Sequence, residues 1–157
     1  TICTRGQACL FGDILDGEMR LSAIGDIVAG EWRRTGELRP YVELDEWVVM
    51  PNHLHGVVII KSTQPVETPR WGVSAPPPAA SAGSLGSILG QFKPVSTKRI
   101  WAAGRRDFSW QPRFYEHVIR NEASLNRIRE YVVNNPAKWE LDKYYLTAAL
   151  MPAIDRR

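Results

Sequence analysis

Apolar positions along the chain change period several times, and each change predicts an element. Thr1-Ile2-Cys3-Thr4 reads as strand, and Asp16-Gly17, following Cys9-Leu10-Phe11 and set between Ile14-Leu15 and Met19-Arg20-Leu21, reads as a hairpin turn decorating it. From Ser22 to Thr35 the apolar residues Ile24, Ile27, Val28 and Trp32 recur at helical spacing, with Gly36 as the expected stop. Tyr41 to Met50 is β-rich, with Val42 and Leu44 alternating against Glu43 and Asp45. It runs into a second apolar segment ending Gly56-Val57-Val58-Ile59-Ile60, and the tight connection predicts an antiparallel pair. Leu85, Ile88, Leu89, Phe92 and Val95 mark a second amphipathic helix that Pro94 is expected to kink or divide. Trp110 to Ile119 is aromatic and β-branched enough to predict a last strand. A third helix is expected from Asn121 to Asn135, capped by Asn121 or Ser124, buried along Leu125, Ile128 and Val132, and ended by Pro136. This order predicts an α+β fold, one sheet with helices packed on it.

Periodicity fails between Lys61 and Gly83, where Pro, Ala, Ser and Gly dominate around Pro76-Pro77-Pro78. That stretch is expected to be a flexible insert, at about 62–83, within a single domain spanning 1–157. The chain opens mid-strand at Thr1 without a methionine, so the true beginning is expected to be missing. The two cysteines, Cys3 and Cys9, form no Cys-x-x-Cys pattern, and no apolar stretch approaches the length of a membrane span. A cytoplasmic protein with reduced thiols is the expectation. The formal charge is only +3, but Arg99, Arg105, Arg106, Arg113, Arg120, Arg127, Arg129 and Lys138 crowd the second half, which suggests a nucleic-acid footprint. The competing reading is an ordinary solvated basic face.

Chemistry concentrates at Pro51-Asn52-His53-Leu54-His55, which holds two of the three histidines of the chain. On a strand, residues i and i+2 share a face, so both imidazoles converge on one point, an arrangement suited to clamping a metal ion that still needs a third ligand. Tyr131 and Asn135 lie four residues apart and share a helix face. Nucleophilic catalysis on a phosphodiester needs an attacking oxygen and a cation to absorb charge, so Tyr131 is a candidate nucleophile and Asn135 a candidate third ligand. Both have plainer readings: a packed helix aromatic, and an amide ending the helix before Pro136, where the residue before proline is driven out of helical geometry. His117 is the alternative third ligand, sharing a strand face with Tyr115; it also suits a phosphate contact or simple packing.

Three blocks carry a family resemblance: Trp47-Val48-Val49-Met50-Pro51-Asn52-His53-Leu54-His55-Gly56, then Trp110-Gln111-Pro112-Arg113-Phe114-Tyr115-Glu116-His117-Val118-Ile119-Arg120-Asn121, then Tyr131-Val132-Val133-Asn134-Asn135-Pro136-Ala137-Lys138. In this order they resemble the IS200-like single-tyrosine transposases of the HUH superfamily, and most of all the REP-associated tyrosine transposases. The resemblance implies a ferredoxin-like antiparallel sheet with the two-histidine strand central and the tyrosine on a neighbouring helix. It implies that Tyr131 attacks single-stranded DNA near hairpin or palindromic sequences, forming a 5′-phosphotyrosine link and freeing a 3′-hydroxyl that later rejoins strands. His53 and His55 would hold Mg²⁺ or Mn²⁺, with Asn135 matching the family's amide ligand. Relatives assemble as dimers, although monomers occur in the nearest branch, so a homodimer is a further expectation. Lys93, Lys98, Arg99, Arg105, Arg106, Arg113, Arg120 and Lys138 are candidate DNA contacts, and Trp101, Phe108 or Trp110 candidate stacking platforms, with Trp47 and Trp110 favoured as core. Two other functions compete: a domesticated DNA-hairpin-binding module without catalysis, and a two-histidine metal hydrolase that forms no tyrosine link.

Overall fold

The computed structural model describes residues 1–61 and 83–145. The expected insert at 62–83 therefore lies, except for Gly83, outside the described residues. Strand β1 is Ile2–Cys3, and β2 (Gly12–Leu15) and β3 (Glu18–Leu21) form a separate antiparallel hairpin turning at Asp16 and Gly17, both at positive φ. Helix α1 (Ala23–Glu37) follows, then β4 (Val42–Met50), β5 (His53–Ile60), α2 (Leu85–Ala102) and α3 (Glu122–Asn134). The main sheet has the order β1-β5-β4, antiparallel throughout, so the two-histidine strand is central and the fold is α+β as expected.

The expected last strand at Trp110–Ile119 is not a regular strand, and the cause is local. Its backbone follows the free edge of β1 in an antiparallel sense: Arg5 N–H donates to the Ser109 carbonyl, Gln111 N–H to Cys3 and Tyr115 N–H to Thr1. Between the last two bonds stand Pro112, which has no N–H to give, and Arg113, whose φ of 67° is left-handed. The ladder breaks there, leaving one isolated bridge, Thr4 to Trp110. The segment still occupies the outer position of a four-place sheet, which completes the ferredoxin-like order.

Helix boundaries differ from expectation for similarly physical reasons. Ser22 caps α1 by accepting from Gly25 N–H, but the helix passes through Gly36 and ends at Glu37. Gly36 instead lets β4 come close, since a Cβ there would sit 3.1 Å from the Leu44 side chain. Pro94 does not divide α2. Ile88, Leu89 and Phe92 before it and Ile100 after it are all buried, so packing on both sides offsets the roughly 3 kcal/mol that an internal proline costs. Asn121 caps α3 through a 2.8 Å bond from Ser124 N–H.

Alternation along β5 separates core from site. Leu54 joins Ile2, Phe11, Val28, Trp32, Val49, Phe92, Phe108 and Trp110 in the core beneath α1 and α2. His53 and His55 therefore point to the opposite face, toward α3. Phe108 and Trp110 are buried among Phe11 and Phe92 and are not available to stack on a base, whereas Trp101 is partly exposed. Trp47, half-buried against the core, carries the Arg33 guanidinium over its ring. A Cβ on Gly25 would fall 2.1 Å from the Phe11 carbonyl oxygen, a backbone atom with little room to give. Gly25→Ala is expected to destabilise the protein by roughly 2–3 kcal/mol, read as a lowered melting midpoint.

Candidate active site

β5 delivers the two histidines and α3 delivers the tyrosine to one place. The ring centroids of His53 and His55 are 4.4 Å apart, and that of Tyr131 lies 5.3 Å from His55. The Tyr131 hydroxyl is 3.4 Å from His55 Nε2. α3 is held against β4 by Arg129, whose Nη2 and Nε donate to both carboxylate oxygens of Asp45 at 2.6 and 3.0 Å. This ion pair, two residues before Tyr131, holds the Asp45 carboxyl below its usual range, chiefly through the hydrogen bonds from Arg129.

Asn135 keeps helical angles, φ −59° and ψ −43°, despite preceding Pro136. The chain tightens into a 3-10 run, Pro136–Leu141, with Pro136 at its first position, where no N–H is needed. That run turns back and brings in Asp142, a residue the sequence reading missed. Asp142 is buried, and its Oδ2 accepts from the Tyr131 hydroxyl at 3.0 Å and from Asn135 Nδ2 at 3.1 Å, while Tyr144 N–H donates to Oδ1 at 2.7 Å. No local pattern marks it in the sequence; only the fold-back places it.

His53, His55 and Asp142 can present ligand atoms within 4.8 Å of one another. Two buried polar atoms in this cluster, His53 Nε2 and Asn135 Oδ1, have no hydrogen-bond partner. Buried polar atoms are nearly always paired, so an unpartnered nitrogen on His53 and an unpartnered oxygen on Asn135, both on residues that adjoin the buried Asp142 carboxylate, are compatible with a cation site. Two imidazole nitrogens and a carboxylate, with an amide oxygen from the neighbouring Asn135, form a mixed nitrogen and oxygen donor set compatible with a divalent metal ion. Burial pushes the His53 imidazole down to about 2, with the neighbouring His55 adding to the effect, and His55 down to about 4. Both rings are therefore neutral near pH 7, the form that ligates metal. Burial, followed by the Asp142 charge, pushes the Tyr131 phenol up to about 12, so it is protonated and needs an acceptor as it reacts.

His117 is not brought to this cluster; it is exposed on the irregular segment, so the strand alternation expected for it does not apply. Among the expected DNA contacts, Lys93 donates to the Gln111 and Arg113 carbonyls, tying α2 to the edge segment. Arg99 pairs with buried Glu31 and Arg105 with Asp107. Lys98, Arg106, Arg113, Arg120 and Lys138 are exposed. Leu125 and Ile128 are only half-buried and, with His55, His117 and Tyr131, line an open cavity of about 870 Å³. No helix among the described residues is long and apolar enough to cross a membrane.

No family model matches the chain. An alignment of 154 residues, covering 93% of this chain and 83% of the other, gives 36% identity to an uncharacterized protein of Haemophilus influenzae. A second, of 100 residues, gives 27% identity to the REP-associated tyrosine transposase of Escherichia coli K12, over 64% of this chain and 47% of that protein. The match thus spans about half of the transposase's length. Among solved structures, a REP-associated tyrosine transposase bound to a REP hairpin is similar with a TM-score of 0.60, at 22% identity, over 90% of this chain and 67% of that one. The chain belongs to one family with the Haemophilus influenzae protein, and it is similar in fold, and more distantly in sequence, to REP-associated tyrosine transposases.

Proposed function

We propose that the chain is a metal-dependent single-stranded DNA transesterase that nicks and rejoins DNA beside a hairpin through a 5′-phosphotyrosine link. The observation that carries this reading is the meeting of the Tyr131 hydroxyl, 3.4 Å from His55 Nε2, with the orphaned atoms His53 Nε2 and Asn135 Oδ1. His53, His55 and Asn135, with Asp142 beside them, would hold Mg²⁺ or Mn²⁺. When bound, the cation supplies Lewis-acid polarisation of the scissile phosphate.

The protein's own groups carry the rest. Tyr131 Oη attacks phosphorus; the Oη–P bond forms as the P–O3′ bond breaks, and the phenol proton ends on the departing 3′-oxygen. Asp142 Oδ2 already accepts from this hydroxyl at 3.0 Å, which orients it for attack. Because the phosphodiester is exchanged rather than hydrolysed, the 3′-hydroxyl can reverse the step and rejoin the strand. A hairpin partner is supported by the hairpin-bound structure of like fold, and the exposed Lys98, Arg106, Arg113, Arg120 and Lys138 are proposed to contact its phosphates.

Incubation of the protein with a labelled hairpin carrying single-stranded flanks, with Mn²⁺, should yield a covalent protein–DNA adduct and a free 3′-hydroxyl product. Tight binding without any adduct would favour a non-catalytic module, and a nick without protein linkage a hydrolase. Asp142→Asn removes the charged acceptor from the hydroxyl, and adduct formation is expected to slow on the order of 100-fold at unchanged hairpin affinity, measured by single-turnover kinetics.

A further inference from the structure

Asn52 sits in the two-residue turn between β4 and β5 and is fully buried. Its amide nitrogen Nδ2 donates to the Gln7 and Tyr144 carbonyls, both at 3.1 Å. Its Oδ1 lies 2.7 Å from His53 Nδ1. A backbone carbonyl only accepts, so the two carbonyl contacts identify the nitrogen end of the amide and leave the oxygen, which also only accepts, facing the imidazole. His53 then has to carry its proton on Nδ1. The opposite ring nitrogen, Nε2, keeps its lone pair, and it is one of the two orphaned atoms of the site.

We propose that Asn52 is the positioning residue of this site: it fixes His53 in the Nδ1–H tautomer and aims the Nε2 lone pair at the metal position. The other tautomer would set two lone pairs against each other at 2.7 Å and leave a buried Nε2–H without an acceptor. The same amide holds the Tyr144 carbonyl, two residues beyond Asp142, so one side chain also anchors the fold-back that brings the carboxylate to Tyr131. Outer groups of this kind typically set metal affinity by about 10–100-fold. The consequence for metal rests on the proposed function, whereas the tautomer does not.

Imidazole nitrogen chemical shifts in the metal-free protein test this directly. Wild-type His53 should show the Nδ1–H tautomer, Asn52→Ala should shift it toward a mixture, and Asn52→Asp, which keeps an acceptor for Nδ1–H but sets its second oxygen against the Gln7 and Tyr144 carbonyls, should retain the tautomer at lowered stability. Mn²⁺ titration should show a dissociation constant about 10–100-fold higher for Asn52→Ala than for wild type. Protonation of wild-type His53 at Nε2, or an unchanged tautomer in folded Asn52→Ala, would overturn the proposal. Should Asn52→Ala fail to fold, the wild-type and Asn52→Asp spectra carry the test alone. If the tautomer shifts as expected but neither protein binds Mn²⁺, the positioning role stands and the metal reading fails.

Discussion

Tyr131→Phe should abolish covalent attachment to hairpin DNA while leaving the protein folded and DNA affinity nearly unchanged. The substitution removes one oxygen, and with it the attacking atom. Tyr131 is 48% exposed, and its ring keeps its packing on His55, so the losses are confined to the hydroxyl's contacts, chiefly the 3.0 Å bond to Asp142 and the long contact to His55. Because the acceptor is a buried carboxylate, that loss costs roughly 1.5–3 kcal/mol of stability. The rate of adduct formation should instead fall by roughly 10⁴-fold or more, as when an essential nucleophile is removed from a constellation that acts as a unit. A denaturing gel with end-labelled hairpin separates the two effects. If the adduct persists, another residue is the nucleophile, and the nearby Tyr144, whose ring centroid lies 6.3 Å from that of His55, is the first alternative.

The second large effect is expected at the imidazoles. His53→Ala or His55→Ala should weaken Mn²⁺ binding by on the order of 100-fold or more and reduce cleavage in parallel, and chelation of the wild type should do the same until Mn²⁺ is restored. His53 is fully buried against His55 and Tyr144, so its truncation also leaves a cavity and should cost roughly 2–4 kcal/mol. Calorimetric Mn²⁺ titration of variants that retain a cooperative melting transition distinguishes loss of ligation from loss of fold. Undiminished Mn²⁺ affinity in a folded His53→Ala protein would place the cation elsewhere.

Much of this architecture was legible from period and spacing because local and tertiary preferences agree. Ser22 starts α1, Asp16-Gly17 turns the hairpin, and the apolar runs on either side of Pro51-Asn52 pair as β4 and β5 with both histidines on one face. The shared strand face of the two histidines and the helical spacing of Tyr131 and Asn135 were readable in the same way. Legibility failed where a single residue decided a long-range outcome. Trp110 to Ile119 has the composition of a strand and lies where a strand would, but Pro112 and the left-handed Arg113 break its ladder. Pro94 suggested a break in α2 because propensity is local, while the burial on both sides of it is not. Asp142 enters the site through a 3-10 turn that has no periodicity to read, and the contacts of Asn52 are not legible locally because two of its three partners come from distant segments.

On the proposed mechanism the phenol of α3 and the paired imidazoles of β5 act on one phosphate. Mass spectrometry of the protease-digested adduct formed with hairpin DNA and Mn²⁺ decides whether they do. A nucleotide remnant, linked through its 5′-phosphate, should appear on the peptide containing Tyr131. A nicked product with an unmodified Tyr131 peptide, or a remnant on any other residue, would contradict that mechanism.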